Sequence, residues 1–146
     1  MANVFFTVTR DLPLPADVVF GELIDWRGHA NWVPLTRVKV ISGDGGPGTE
    51  FVATSGIGPV ALPDRMRVDE LDLAARTVRI TKIGPVLTGQ VHLSVASTGD
   101  STSRLTWVED IRVPGVPQFL AKPLAAAARK GFETSITRLA ARLAAT

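Results

Sequence analysis

Residues 87–113, which read LTGQVHLSVASTGDSTSRLTWVEDIRV, decide the fold of this chain. On both sides of the turn-forming stretch 97–101, apolar and polar side chains alternate with the period of two that is typical of β-strands. Two strands joined by so short a turn must be antiparallel neighbours. The separation into one apolar and one polar face indicates a sheet that protein covers on one side and water wets on the other.

Similar segments precede this hairpin and predict further strands. Runs rich in β-branched and aromatic residues, bounded by Gly and Pro, lie at 4–10, 38–41, 51–55, 60–71 and 77–83. Between the first two strands, residues 15–24 show helical spacing and residues 26–32 predict a second short helix that ends before Pro34.

The cover for the sheet is found at the C-terminal end of the sequence. Apolar side chains recur there at steps of three and four residues, at Leu120, Leu124, Ala128, Phe132, Ile136, Leu139 and Leu143. They predict a helix of about 25 residues, which Pro123 either kinks or begins. The sequence therefore predicts one α+β domain over residues 1–146, in which a curved antiparallel sheet of six to seven strands wraps a long C-terminal helix.

Composition excludes several classes of function. The chain has no cysteine, which excludes disulfides and thiolate chemistry, and its 2 histidines make a protein metal site improbable, so we expect no metal and no cofactor. Its 16 basic and 14 acidic residues alternate along the chain, which does not indicate nucleic-acid binding. Because no secretory signal and no run of ~18 apolar residues is present, we expect a cytoplasmic protein with no integral membrane association. Both a monomer and a homodimer agree with the sequence.

Five short motifs occur in an order that resembles a known superfamily. They are PADVVF at 15–20, DWRGHANWVP at 25–34, GTEF at 48–51, LTWVE at 105–109, and GFE at 131–133 with Leu139. Together they resemble the START/polyketide cyclase superfamily, also called SRPBCC, over essentially the whole chain. This resemblance implies the helix-grip fold, with a ligand cavity between the sheet and the long helix.

Two carboxylates are the most informative candidates for a site. Asp64 and Glu109 each share the strand phase of apolar neighbours, so both are predicted to point inward. An inward carboxylate is costly unless it is paired or protonated. Either residue would then orient a ligand hydroxyl or act as a general acid or base. The alternatives are pairing with Arg65, Arg67 or Arg104, or a bulge that turns the carboxylates outward.

The histidines are weaker candidates. His29 lies in the segment that the resemblance puts beside the cavity mouth, where it would assist acid/base catalysis or serve as a half-exposed structural residue. His92 shares the phase of polar neighbours and is predicted to face water.

Three functions remain open. The leading hypothesis is that the cavity binds an apolar or amphipathic small molecule, such as a lipid, an isoprenoid or a polyketide-like aromatic. Its predicted wall consists of Trp32, Phe51, Val60, Leu62, Met66, Ile80, Leu93, Trp107, Leu124 and Ala128. The second hypothesis is a polyketide cyclase or dehydratase that uses Glu109 or Asp64 as the base, with His29 as a helper. The third is a protein-interaction module without a sizeable pocket.

Overall fold

Seven strands and two helices make up most of the computed structural model, which describes residues 1–145. In chain order they are β1 (Ala2–Leu12), α1 (Ala16–Leu23), β2 (Thr36–Ser42), β3 (Glu50–Ser55), β4 (Leu62–Asp72), β5 (Thr77–Ile83), β6 (Thr88–Gly99), β7 (Thr102–Val113) and α2 (Ala121–Ala144). Short 3-10 helices lie at Arg27–Asn31, Gly58–Val60 and Gln118–Leu120.

The strands form one antiparallel sheet in the order β1-β7-β6-β5-β4-β3-β2. From β2 to β7 each strand pairs with the next one along the chain. Strand β1 pairs with β7 and forms the edge of the sheet on that side. This is the predicted meander covered by a long helix, and the helix-grip fold is confirmed. At one position β6 and β7 approach closely, since a β-carbon on Gly89, with φ of 131°, would lie 2.1 Å from the carbonyl oxygen of Asp110. Only glycine fits this position.

The segment between β1 and β2 is anchored to the sheet by tryptophan. The ring of Trp26 stacks on Phe51 of β3 at a centroid distance of 4.9 Å. Its indole N–H donates to the carbonyl oxygen of Gly45, 2.8 Å away, in the glycine-rich turn between β2 and β3. The short helices are therefore held against the end of the sheet where that turn lies.

Helix α2 covers the sheet unevenly. Its packing is concentrated on β1, and in its second half Ser135, Ile136 and Leu139 are fully buried. In its first half Leu124 and Ala128 are only half-buried. Pro123 lies in the first turn, where its missing N–H breaks no helical hydrogen bond. The sheet surface on the β2–β4 side is therefore left partly open beneath the first half of the helix.

Within residues 1–145, neither helix has the length and apolar character that crossing a bilayer requires.

Candidate functional site

A lysine and two carboxylates meet on the inner face of the sheet. The ammonium group of Lys82, on β5, donates a hydrogen bond to Oδ2 of Asp64 on β4. The same Nζ lies 3.3 Å from Oε1 of Glu109 on β7. Solvent reaches only 6% of the Lys82 side chain, 3% of Glu109 and 16% of Asp64. These three residues are named the charge cluster below.

The strand register brings the cluster together. Lys82 pairs with Met66 of β4, and Asp64 is the next residue of β4 that points to the same face. On its other side Lys82 pairs with Gly89 of β6, so no β6 side chain stands at that position between Lys82 and β7. The lysine reaches across β6 to Glu109, and one cation thereby pairs with carboxylates from two strands that are not neighbours.

Burial and charge act in opposite directions on the cluster. Burial by itself lowers the pKa of Lys82, but the negative charges of Glu109 and Asp64 outweigh it, so that the pKa lies above its ordinary value. Burial raises the pKa of Glu109, and the ammonium of Lys82 offsets only part of this effect. Lys82 is therefore a cation at neutral pH, and Glu109 takes up a proton more readily than an exposed glutamate.

The three residues of the cluster line a cavity of about 100 Å³. The rest of the wall is mainly apolar, and it includes five of the predicted wall residues, Phe51, Met66, Ile80, Leu93 and Trp107. Six further residues line it that were not among the predicted wall residues, namely Val33, Thr36, Ala53, Ser55, Val91 and Phe132. The remaining wall residue is His29.

An outer groove adjoins this cavity. It has a volume of about 290 Å³ and runs between α2 and the segment that enters β2, lined by Val33, Pro34, Thr36, Ser55, Ala128, Gly131, Phe132 and Ser135. Phe132 borders both spaces, and its ring lies 4.5 Å from Trp107 and 5.6 Å from Phe6 between centroids. A β-carbon added to Gly131 would meet nothing within 4 Å. Phe132 therefore lies between the inner cavity and the more open groove, and Val33, Thr36 and Ser55 border both spaces as well.

Several predicted positions are wrong. Val60 and Leu62 are 75% and 56% exposed, because a 3-10 turn at Gly58–Val60 delays β4 and leaves its first residue at an uncovered end of the sheet. Trp32 is fully buried in the core, where it meets Trp107 edge-on, and it does not border the cavity.

On α2, the predicted wall residues lie farther out than expected. Ala128 borders the outer groove, and Leu124 borders neither space. The reason is that the first half of the helix lies at the open side of the sheet.

The predicted alternative of arginine partners is also wrong. Arg65 pairs with Glu50, Arg67 with Asp69 and Arg104 with Asp11. These arginines lie one residue out of phase with Asp64 and Glu109, so the pleat puts them on the outer face. Both carboxylates do point inward, as predicted, and no bulge turns them out.

His29 borders the cavity but is engaged elsewhere. Its Nε2 lies 2.6 Å from the carbonyl oxygen of Leu23, so Nε2 carries the proton and donates it. Burial lowers the pKa of His29, which keeps the ring neutral at neutral pH. His92 is exposed on the outer face, as predicted.

Lys82 is the site residue that the sequence analysis missed. A usable signal was present, because Lys82 shares the strand phase of Val78 and Ile80, both of which are buried. An inward lysine on the same sheet face as two inward carboxylates is the complementary charge that those carboxylates require.

The open antiparallel sheet, its long C-terminal helix and the cavity between them define the START-like class of helix-grip proteins. Residues 4–144 match the family model described as polyketide cyclase / dehydrase and lipid transport, and the chain belongs to this family.

Solved structures of the same fold agree with this assignment. The Zhui aromatase/cyclase from Streptomyces sp. R1128 superposes with a TM-score of 0.80 at 16% identity, over 97% of this chain and 93% of that one. A START superfamily protein from Mycobacterium smegmatis superposes with a TM-score of 0.78 at 15% identity, over 95% and 96% of the two chains. For Ara h 8.0201 the TM-score is 0.72 at 16% identity, over 99% and 100%. No curated protein matches the sequence. At these identities the superpositions establish the fold alone.

Proposed function

We propose that this protein binds an amphipathic small molecule, with its polar end at the charge cluster and its apolar part along the cavity wall and the outer groove. The observation that carries this proposal is that the buried charge cluster lines a cavity whose wall is otherwise mainly apolar. Replacing a buried ion pair with apolar residues is often neutral or stabilising, so a buried cluster of this kind is weak evidence of a purely structural role. Perturbed ionisable groups in a cavity are typical of functional sites.

The size of the cavity limits how the ligand sits. About 100 Å³ is below the ~300–1,000 Å³ of ordinary ligand pockets, whereas the outer groove adds about 290 Å³. A single ring or a short chain fits inside, and a larger ligand extends past Phe132 into the groove. The description of the family as cyclases, dehydrases and lipid transporters agrees with ligands of this kind.

Fluorescence of the neutral probe N-phenyl-1-naphthylamine tests the proposal. Ala53 lies on the cavity wall and pairs with Asp64 across the β3–β4 ladder. Ala53→Leu should therefore fill the cavity and abolish probe binding. The control is Ala96→Leu, the same change at an exposed strand alanine on β6. Equal binding to both variants and to the unchanged protein would refute binding in the cavity.

The second candidate function is acid/base catalysis, which the raised pKa of Glu109 favours. A raised pKa makes the buried carboxyl group protonated over a wider pH range than an exposed glutamate, so it is available to donate a proton to a carbonyl or hydroxyl of a polyketide-type substrate. Glu109→Gln should then lower turnover about 10²-fold or more while binding is retained. The control is Asp110→Asn, since Asp110 faces outward and pairs with Arg112. Equal turnover in the two variants would exclude Glu109 as the catalytic acid.

A further inference from the structure

We propose that the ligand presents a hydroxyl group to the charge cluster, and that ligands ending in a carboxylate are rejected. This inference rests on the proposed binding function and narrows the ligand class. It follows from which atoms of the cluster are already occupied.

The ammonium of Lys82 has little left to offer a ligand. Of its three N–H groups, one is donated to Asp64 and one faces Oε1 of Glu109 at 3.3 Å. The sulfur of Met66 lies 4.0 Å from the same Nζ. An anionic ligand would therefore find only the N–H group that faces the Met66 sulfur, unless it displaced a carboxylate that is already paired in a buried site.

The charge of the cluster also disfavours an anion. With both carboxylates ionised, Lys82, Asp64 and Glu109 carry a formal charge of −1, and protonation of Glu109 brings it to zero. Neither state is positive. A carboxylate entering the cavity would lose its hydration without gaining a net opposite charge, which is costly at this depth.

The cluster contains an unpaired acceptor for a ligand hydroxyl group. Oδ1 of Asp64 is buried and has no hydrogen-bond partner within residues 1–145. On the same cavity wall, the indole N–H of Trp107 acts on Glu109 and lowers the pKa of that carboxyl, although within residues 1–145 it makes no hydrogen bond of ordinary geometry. Unpaired buried polar atoms are costly, and a ligand hydroxyl is able to donate to a carboxylate and to accept from an N–H group.

The discriminating experiment uses three probes of one shape, namely naphthalene, 2-naphthol and 2-naphthoate. Each is titrated into the whole protein at pH 7, where 2-naphthol is neutral and 2-naphthoate is charged, and affinity is read by calorimetry or by displacement of N-phenyl-1-naphthylamine. We expect 2-naphthol to bind about tenfold or more tightly than naphthalene, the effect of one hydrogen bond to a charged acceptor. We expect 2-naphthoate to bind more weakly than naphthalene.

A variant connects this ranking to Asp64. Asp64→Asn removes one negative charge, so the ratio of 2-naphthol to 2-naphthoate affinity should fall about tenfold. Asp110→Asn makes the same change on the outer face and should leave the ratio as it is. If Asp64→Asn fails to fold, as judged by its thermal melt, the ranking on the unchanged protein still decides.

The outcomes separate the two proposals. The hydroxyl preference would be overturned if 2-naphthoate bound as tightly as 2-naphthol, or if 2-naphthol and naphthalene bound equally. Binding in the cavity would still stand if Ala53→Leu removed that binding. If none of the three probes shows binding that Ala53→Leu removes, the binding function itself fails.

Discussion

Replacing Lys82 with methionine removes the cation that lies between Asp64 and Glu109 and leaves two carboxyl groups facing each other in the interior. Methionine keeps most of the side-chain volume, so the change tests charge more than packing. Removing one partner of a buried ion pair costs about 3–5 kcal/mol, because the remaining charge is uncompensated. Since domains of this size are stable by about 5–15 kcal/mol, we expect Lys82→Met to fold with a large part of its stability lost.

The pH dependence of this loss follows from proton binding. Without Lys82, burial and repulsion from Asp64 hold the pKa of Glu109 further above its ordinary value, which is the value that we expect in the unfolded chain. The folded variant then binds more protons than the unfolded chain between those two pKa values. Its free energy of unfolding therefore falls as the pH rises through that window, and the loss should be smaller at pH 5 than at pH 8.

Urea unfolding followed by tryptophan fluorescence measures both effects. Lys39→Met is the matched control, because Lys39 is an exposed lysine on β2, and we expect it to change stability by less than about 0.5 kcal/mol. Adding Glu109→Leu to Lys82→Met should restore part of the loss by removing one of the two facing carboxyl groups. A loss below about 1 kcal/mol for Lys82→Met, or a larger loss at pH 5 than at pH 8, would refute the assigned role of Lys82.

Three further predictions concern packing. Gly131→Ala should raise stability by about 0.5–1 kcal/mol in thermal melts, because the added methyl meets nothing within 4 Å and alanine is the better helix former. A lower melting temperature would contradict the open space beside Gly131. Gly89→Ala should cost more than about 1 kcal/mol in urea titrations, because its β-carbon would strike the carbonyl oxygen of Asp110; unchanged stability would contradict the close approach of β6 and β7. Phe132→Ala should cost about 2–3 kcal/mol, less than the ~3–5 kcal/mol of a core phenylalanine because Phe132 is only half-buried, and should strengthen binding of ligands too long for the inner cavity. Titration of alcohols of increasing chain length would show whether the cavity and the groove have joined.

Local pattern predicted much of the fold and part of the site. The alternation in residues 87–113 reflects the pleat of a strand, which depends on nothing beyond the chain itself, so the face occupied by Glu109 was readable in advance. Asp64 was readable for the same reason. The spacing of Ile136 and Leu139 likewise identified the buried side of α2, because helical periodicity is also a local property.

Only the tertiary structure decided which charges meet and where the open space lies. Lys82 meets Asp64 and Glu109 because β4, β5, β6 and β7 pair in sequence with a particular register. Such a register is set by contacts between strands rather than within them. Alternation likewise predicts which face of the sheet a side chain occupies, but it does not predict how far the helix covers that face. Leu62 therefore lies in solvent although its strand phase is inward. The sequence determined which side chains point inward, and the packing of α2 on β1 determined which of them border a cavity.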